Sequence, residues 1–467
     1  MISFFPKQIA TKAIYLYLGA LAAVSLFFFR NTMSLEYIIM GIFWVVGFFL
    51  LSSFCSIKWK DFPEKKLLLV LFFTALLLRI AWVFFSYFFY SLKTGSPFEF
   101  DAADSTWYYE ESIGNIETQW KDIWNYLFVS SSTVSDSGYV FYLTALAKIF
   151  GENILFPRLI NACLSAATVL LIYLLAKRNI GEEGGRIAAI LACFIPNLIF
   201  YCGLHLKETT MIFLIMAYLE RSDYLLRSKR YNVLTIALPA LLALTLFTFR
   251  TVLGATAVFA FVTALVFTNT SIIGRAKRYL IIGWGLLAVL TLTGGTIMNE
   301  VEGLLADRES NQTNKRITQT AKGNLWAKYA TGSVMTPMMI VLPFPTMVDV
   351  DQQYNQQMLH GGNYVRNFLG GFVLIAVFSA LFITKKWRNL SLIGSFAFAY
   401  LGIISMSGFS NSERFLLPGL PLLLIMAAYG ITQLNAQNYR FIKIWYWVVP
   451  LMAFAWAFFK LGSRGIL

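Results

Sequence analysis

From Leu67 to Tyr90 the chain runs through apolar side chains broken by a single charge, Arg79. A helix needs about 20 such residues to cross a hydrocarbon core of about 30 Å. The pattern recurs, giving thirteen runs at approximately 13–29, 36–57, 67–90, 155–176, 187–204, 209–220, 233–249, 252–268, 279–298, 367–384, 390–408, 415–434 and 444–459. Hydrophobic residues make up 58% of the 467 positions, more than a soluble core can use. The runs are continuous rather than alternating, which excludes a β-barrel. The expectation is an all-α polytopic membrane protein of about 13 transmembrane helices. The first run lacks a small-x-small cleavage site followed by a soluble domain, so it reads as a retained helix.

The net charge of +14 would suit nucleic acid if the basic residues were gathered in one place. They fall instead in short clusters between apolar runs: Lys58, Lys60, Lys65 and Lys66; Lys177 and Arg178; Arg221, Arg227, Lys229 and Arg230; Arg275, Lys277 and Arg278; Lys385, Lys386 and Arg388. These clusters occupy alternate loops, which is the positive-inside pattern, and they suit anionic headgroups. Membrane lipids are therefore expected partners and nucleic acid is not. The four cysteines, Cys55, Cys163, Cys193 and Cys202, lie in or beside apolar runs without metal-type spacing, as small apolar side chains do.

This threading puts loops 91–154 and 299–366 on the extracytoplasmic face, with the short loop around Glu413 and Arg414. The chain carries no P-loop or dinucleotide fingerprint, so energy for chemistry there must arrive in an activated lipid or be unnecessary. Loop 91–154 holds a dense acidic and aromatic segment, Phe98 to Glu111, in a chain where only 13% of residues are charged. Residues 137–151 read as a short amphipathic helix, capped by Asp136 or Ser137 and ended by Gly151, lying along the interface. The apolar stretch 336–345 is broken by three prolines and can enter the membrane only where protein covers it.

Several motifs occur in a fixed order. Asp104-Ser-Thr-Trp-Tyr108 comes first, then Gly138–Gly151, then Pro157-Arg158-Leu-Ile-Asn161, then Leu206-Lys207-Glu208-Thr209, and finally Glu413-Arg414-Phe-Leu-Leu-Pro418. This order resembles the GT-C superfamily of membrane glycosyltransferases, in particular the family 39-like branch of protein O-mannosyltransferases and lipid A aminoarabinose transferases. The resemblance covers about residues 66–298 and, more loosely, the C-terminal third. It divides the chain into two additional N-terminal helices (1–62), a catalytic transmembrane core including loop 91–154 (63–298), a second outer loop (299–366) and C-terminal transmembrane helices (367–467). It implies a polyprenyl-phosphate-linked sugar donor, a glycan, lipid or protein acceptor, and a bacterial inner-membrane location with an extracytoplasmic active face. Many members follow the motif Asp with Glu; here Ser105 stands. No residue is therefore assigned to a metal, and a divalent ion, Mg or Mn, stays open as a cofactor.

Sugar transfer from a lipid phosphate needs a base for the acceptor hydroxyl and cations for the leaving phosphate. By position the resemblance makes Asp104 the base. Asp101 is second, since three residues of spacing would put both on one helical face. Arg414, Lys207, Arg250 and Arg366 sit at outer ends of runs and are nominated for the donor phosphate, although snorkelling is the ordinary fate of such residues. Trp107, Tyr108, Glu208 and His205 are nominated for sugar or acceptor binding, against belt and ion-pair roles. Arg79, mid-run, should face the bundle interior and need a partner.

Two other functions use the same topology. A polysaccharide polymerase or ligase of the O-antigen or capsule type would depend on outer-loop cations such as Arg308, Lys315, Arg316, Lys322 and Arg366. A lipid-linked sugar flippase would need internal symmetry and polar residues at mid-membrane, of which only Arg79 is evident in the first half.

Overall fold

The structure is a computed structural model that describes residues 3–130, 134–228, 232–267, 338, 340–406 and 413–466. Among these residues every regular element is helical. The long helices are α1 (Lys7–Phe27), α2 (Leu35–Lys58), α3 (Glu64–Thr94) and α7 (Leu155–Ile180). Between α3 and α7 lie three short helices, α4 (Ala103–Gly114), α5 (Trp120–Trp124) and α6 (Ser137–Phe150). After α7 come α8 (Glu182–Phe194), α9 (Pro196–Cys202), α10 (Glu208–Arg227), α11 (Val233–Phe249) and α12 (Thr251–Phe267). The C-terminal part comprises α13 (Tyr354–Met358), α14 (His360–Phe378, continued by a π-helical turn to Ile383), α15 (Ser391–Met406), α16 (Glu413–Leu416), α17 (Leu420–Thr432) and α18 (Ala436–Gly462).

Helix α3 shows how sequence sets packing. Its buried positions include Leu67, Leu71, Ala75, Arg79, Trp82, Ser86 and Tyr90, which recur every three or four residues on one stripe. The stripe stitches α3 to the bent pair α8 and α9, which meet at 48°. Pro196 has no N–H to give Ala192. Arg79 Nη2 donates to Ala192 O at 3.2 Å instead, Nη1 donates to Cys193 O at 3.2 Å, and Nε donates to Ser165 Oγ at 2.7 Å. The mid-run charge thus closes the carbonyls opened by a broken helix, and its role is structural. Trp82 Nε1 and Ser86 Oγ continue the stitch to Phe200 O and Gly203 O.

Among the described residues, seven helices are long and apolar enough to cross a membrane, or eight if α8 and α9 form one span. The chain is therefore a multi-pass membrane protein. The thirteen-span count is not reached among the described residues. Helix α11 has 17 residues, about 25 Å at 1.5 Å per residue, short of an average core, while α12 and α15 run up to the edge of the described residues. The run at 279–298, loop 299–337 with Arg308, Lys315, Arg316 and Lys322, and the cluster at 275–278 lie outside the described residues.

The basic ends do gather. Lys177 pairs with Glu64 at 2.7 Å and with Glu182 at 3.0 Å. Arg186 donates to the carbonyls of Trp59, Lys60 and Phe62. Arg178 bridges Glu220 at 2.7 Å and Asp223 at 3.0 Å. The end of α2, the start of α3, the end of α7, the start of α8 and the end of α10 thus form one layer, as alternate-loop threading requires. The end of α3, with α4 and α6 and the starts of α7, α10 and α16, forms the opposite layer.

Candidate functional site

In that opposite layer, charges alternate across four elements. Asp104 lies in the first turn of α4, where the helix dipole favours an anion, and its side chain is 59% exposed. The Arg414 guanidinium, on α16, pairs with Asp104 through Nη1 and donates from Nε to Glu208 Oε1 at 2.5 Å. Glu208 is fully buried at the start of α10. Arg250, at the α11–α12 junction, approaches the same Glu208 oxygen at 3.9 Å and lies over the Phe415 ring at 4.8 Å. Its Nη1 donates to Tyr400 Oη at 3.3 Å. Arg414 is therefore the bridge between an exposed carboxylate and a buried one.

A second pair stands beside the first. Lys207 pairs with Asp136 and donates to Phe249 O at 3.1 Å. Tyr108 donates its hydroxyl to Asp136 Oδ1 at 3.1 Å. Asp136 was legible as a helix cap, but its side chain makes no capping bond to α6; it adopts a left-handed φ of 73° and turns toward Lys207. Tyr108 is buried, so it holds Asp136 rather than offering a face to a sugar. Trp107 remains 47% exposed, its ring 5.1 Å from that of Tyr108.

Beneath α4 lies a buried polar layer. Ser105 donates to Glu99 Oε1 at 2.5 Å, so the residue after Asp104 ties down an acid from the preceding loop. Burial pushes the Glu99 carboxyl above its usual range, while the Ser105 hydroxyl pulls it back. Arg158, fully buried in the first turn of α7, donates to Pro97 O at 2.5 Å. His205 packs against the rings of Phe98 and Tyr109 in T-shaped contacts, and neither ring nitrogen is hydrogen-bonded among the described residues. Burial, reinforced by Arg158, lowers its pKa to about 3. It is a neutral packed imidazole.

The structure thus gathers Asp104, Arg414, Glu208, Arg250, Lys207 and Trp107 at one layer. It sets three predicted residues apart. Asp101 occupies a left-handed turn (φ 54°) before α4, so it does not share a helical face with Asp104. His205 is enclosed. Arg366 lies on α14, outside the Asp104–Arg414–Glu208 network. Sequence reasoning gave no role to Glu99 or Arg158, and saw Asp136 only as a cap. Their signal, charge adjacent to the motif segments, was present but undirected.

Among the described residues, no group of three or more His, Cys, Asp or Glu side chains is arranged to hold a metal ion. The two acids of the site, Asp104 and Glu208, are bridged by the Arg414 guanidinium. That donor set does not fit a divalent cation as it stands.

No family model and no curated protein matches this chain. Among solved structures, it is similar to the archaeal oligosaccharyltransferase AglB from Archaeoglobus fulgidus in complex with an inhibitory peptide and a dolichol-phosphate, at 12% identity and a TM-score of 0.48. The match covers 87% of this chain and 56% of that one, so the chain spans little more than half of its length. The functional reading rests on the chain's own site.

Proposed function

We propose that this protein is a membrane glycosyltransferase that moves a sugar from a polyprenyl-phosphate-linked donor to an acceptor on the extracytoplasmic face, with Asp104 as general base. The single observation behind this is the bridge from Arg414 to both Asp104 and Glu208. Glu208 fixes one edge of the guanidinium. The other edge is aimed at the exposed carboxylate, where a phosphate oxygen can replace it as partner.

In this reading the donor phosphate takes Arg414 Nη1 from Asp104. The acceptor oxygen then attacks the anomeric carbon. Its proton passes to the freed Asp104 carboxylate, and the bond from the anomeric carbon to the phosphate oxygen breaks, its electron pair leaving on the phosphate. Arg414 and Arg250 face that developing charge. Lys207, buried and held by Asp136, shapes the wall behind them. Trp107 offers an exposed ring for the sugar. Glu208 is a positioning residue here, and His205 and Tyr108 pack the floor. Residence in a bacterial inner membrane is part of the same proposal, and positive-inside threading supports its orientation.

The test is release of polyprenyl phosphate from labelled polyprenyl-phosphate sugars by the full chain in nanodiscs. Release coupled to labelled product supports transfer. Movement of intact donor across a vesicle bilayer with no product would support a flippase instead.

A further inference from the structure

Four consecutive residues between α3 and α4 are each held by a side chain from a different helix. Pro97 O accepts from Arg158 of α7 at 2.5 Å. Phe98 O accepts from Thr94 of α3 at 3.1 Å. The Glu99 carboxyl accepts from Ser105 of α4 at 2.5 Å. Phe100 O accepts from Asn355 of α13 at 2.7 Å. A connecting segment ordinarily moves more than the helices it joins. This one is tied to four helices, so it belongs to the frame.

Helix α4 depends on that frame. Its N-cap position is Ala102, whose side chain makes no capping bond to the first turn. The turn is anchored from the side instead, by a Ser105 that is fully buried and a Glu99 that is nearly so. Successive helical side chains point about 100° apart, so the inward bond of Ser105 sets the outward direction of Asp104.

Asp104 has the opposite surroundings. Its side chain is 59% exposed and pairs with Arg414. In the transfer reading, on which this inference rests, the donor phosphate takes that cation away just before Asp104 must accept a proton. The carboxylate then keeps its place through its own helical turn.

We infer that Glu99 is a positioning residue for Asp104: acting through Ser105, it holds the first turn of α4 in place while Arg414 is engaged by the donor. It touches neither donor nor acceptor. Removing the bond should therefore lower the turnover of bound donor rather than donor binding, because misplacing a reacting group by about 1 Å can cost about 100-fold.

The test compares Ser105→Ala, Glu99→Gln and Ser112→Ala in the full chain in nanodiscs. Ser112 is a buried serine of the same helix, but its hydroxyl donates to Tyr109 O at 2.9 Å, within α4. Ser105→Ala should lower kcat about tenfold to a hundredfold and leave the donor Kd within about twofold. Glu99→Gln keeps the shape and an acceptor oxygen, so it should retain most of kcat. Ser112→Ala removes a similar bond without touching the frame and should leave kcat near wild type. Equal losses in the two serine variants, or donor binding that falls in step with kcat, would make Glu99 and Ser105 general supports of the fold and overturn the inference. Hydrogen exchange of the ligand-free protein reads the same bond without activity. The Thr106 N–H, which donates to Ala102 O at 2.9 Å in the first turn, should exchange about tenfold faster in Ser105→Ala and at the wild-type rate in Ser112→Ala. Unchanged exchange in Ser105→Ala would overturn the inference. Faster exchange in a protein whose wild type shows no turnover would sink the transfer reading and uphold Glu99 as the anchor of the Asp104 turn. Turnover in wild type that Ser105→Ala leaves intact would sink the anchor and spare the transfer reading.

Discussion

Arg414 donates to Glu208 across 206 positions of sequence, and the carboxylate that receives it has no exposed surface. Removing the guanidinium leaves that carboxylate buried without its closest cation. Arg414→Ala should therefore cost about 3–5 kcal/mol of stability as well as activity. Arg414→Ala with Glu208→Gln should recover much of the stability and none of the turnover. A double-mutant cycle by thermal unfolding measures the first, and the transfer assay the second. Additive losses would show that the pair is not coupled.

Arg79 closes two carbonyls at the α8–α9 break. Arg79→Leu should destabilise by about 2–5 kcal/mol, since it strands buried acceptors as well as removing hydrogen bonds. Arg79→Lys should rescue only part of this, because a point ammonium cannot serve Ser165, Cys193 and Ala192 together. Unfolding temperatures in one detergent check the order wild type, then Lys, then Leu.

His205 makes the fold acid-sensitive. Its pKa is lowered to about 3 in the folded chain, against an ordinary value of 6.5. Below pH 6.5 the unfolded chain takes a proton that the folded chain refuses, so this contribution is full above pH 6.5 and is lost as pH falls toward 3. At pH 5 the loss is about 2 kcal/mol. His205→Gln should flatten the melting temperature between pH 7 and pH 5. Parallel curves for the two proteins would contradict it.

Gly430 lies where α17 meets α14. A Cβ there would sit 1.9 Å from Phe372 O, a backbone atom that cannot swing aside. Close helix approach in membranes uses such small residues. Gly430→Ala should lower the melting temperature, whereas Gly394→Ala, with nothing within 4 Å, should not. Equal effects would show that the α14–α17 contact is slack.

Much of this was legible in the sequence because membranes impose a coarse rule. Apolar length located α1, α2, α3, α7 and α18, and alternating charge placed Lys177, Arg178 and Arg227 in one layer. The pairing of residues 310 apart, Arg414 with Asp104, was not legible. Each was nominated, but for opposite roles, since no local pattern states which distant charges meet. Arg366 was grouped with Arg414 because both end apolar runs. The structure separates them by which face of which helix each occupies, something run ends cannot encode. Asp101 failed the spacing argument because the chain turns left-handed there before α4 begins. Helix boundaries were clear where hydropathy was strong, including the break at Arg250 between 233–249 and 252–268, whereas the run 209–220 fell short of α10, which continues to Arg227 through charged residues.

The central claim is that Asp104 takes the acceptor's proton while Arg414 holds the phosphate. Asp104→Asn keeps size and shape and removes the charge. In nanodiscs with labelled polyprenyl-phosphate sugar, turnover should fall at least about 100-fold, the usual scale for losing a general base. Donor binding should be unchanged or tighter, because Arg414 no longer has a competing carboxylate. Turnover within a few-fold of wild type, or loss of donor binding in step with turnover, would contradict the account.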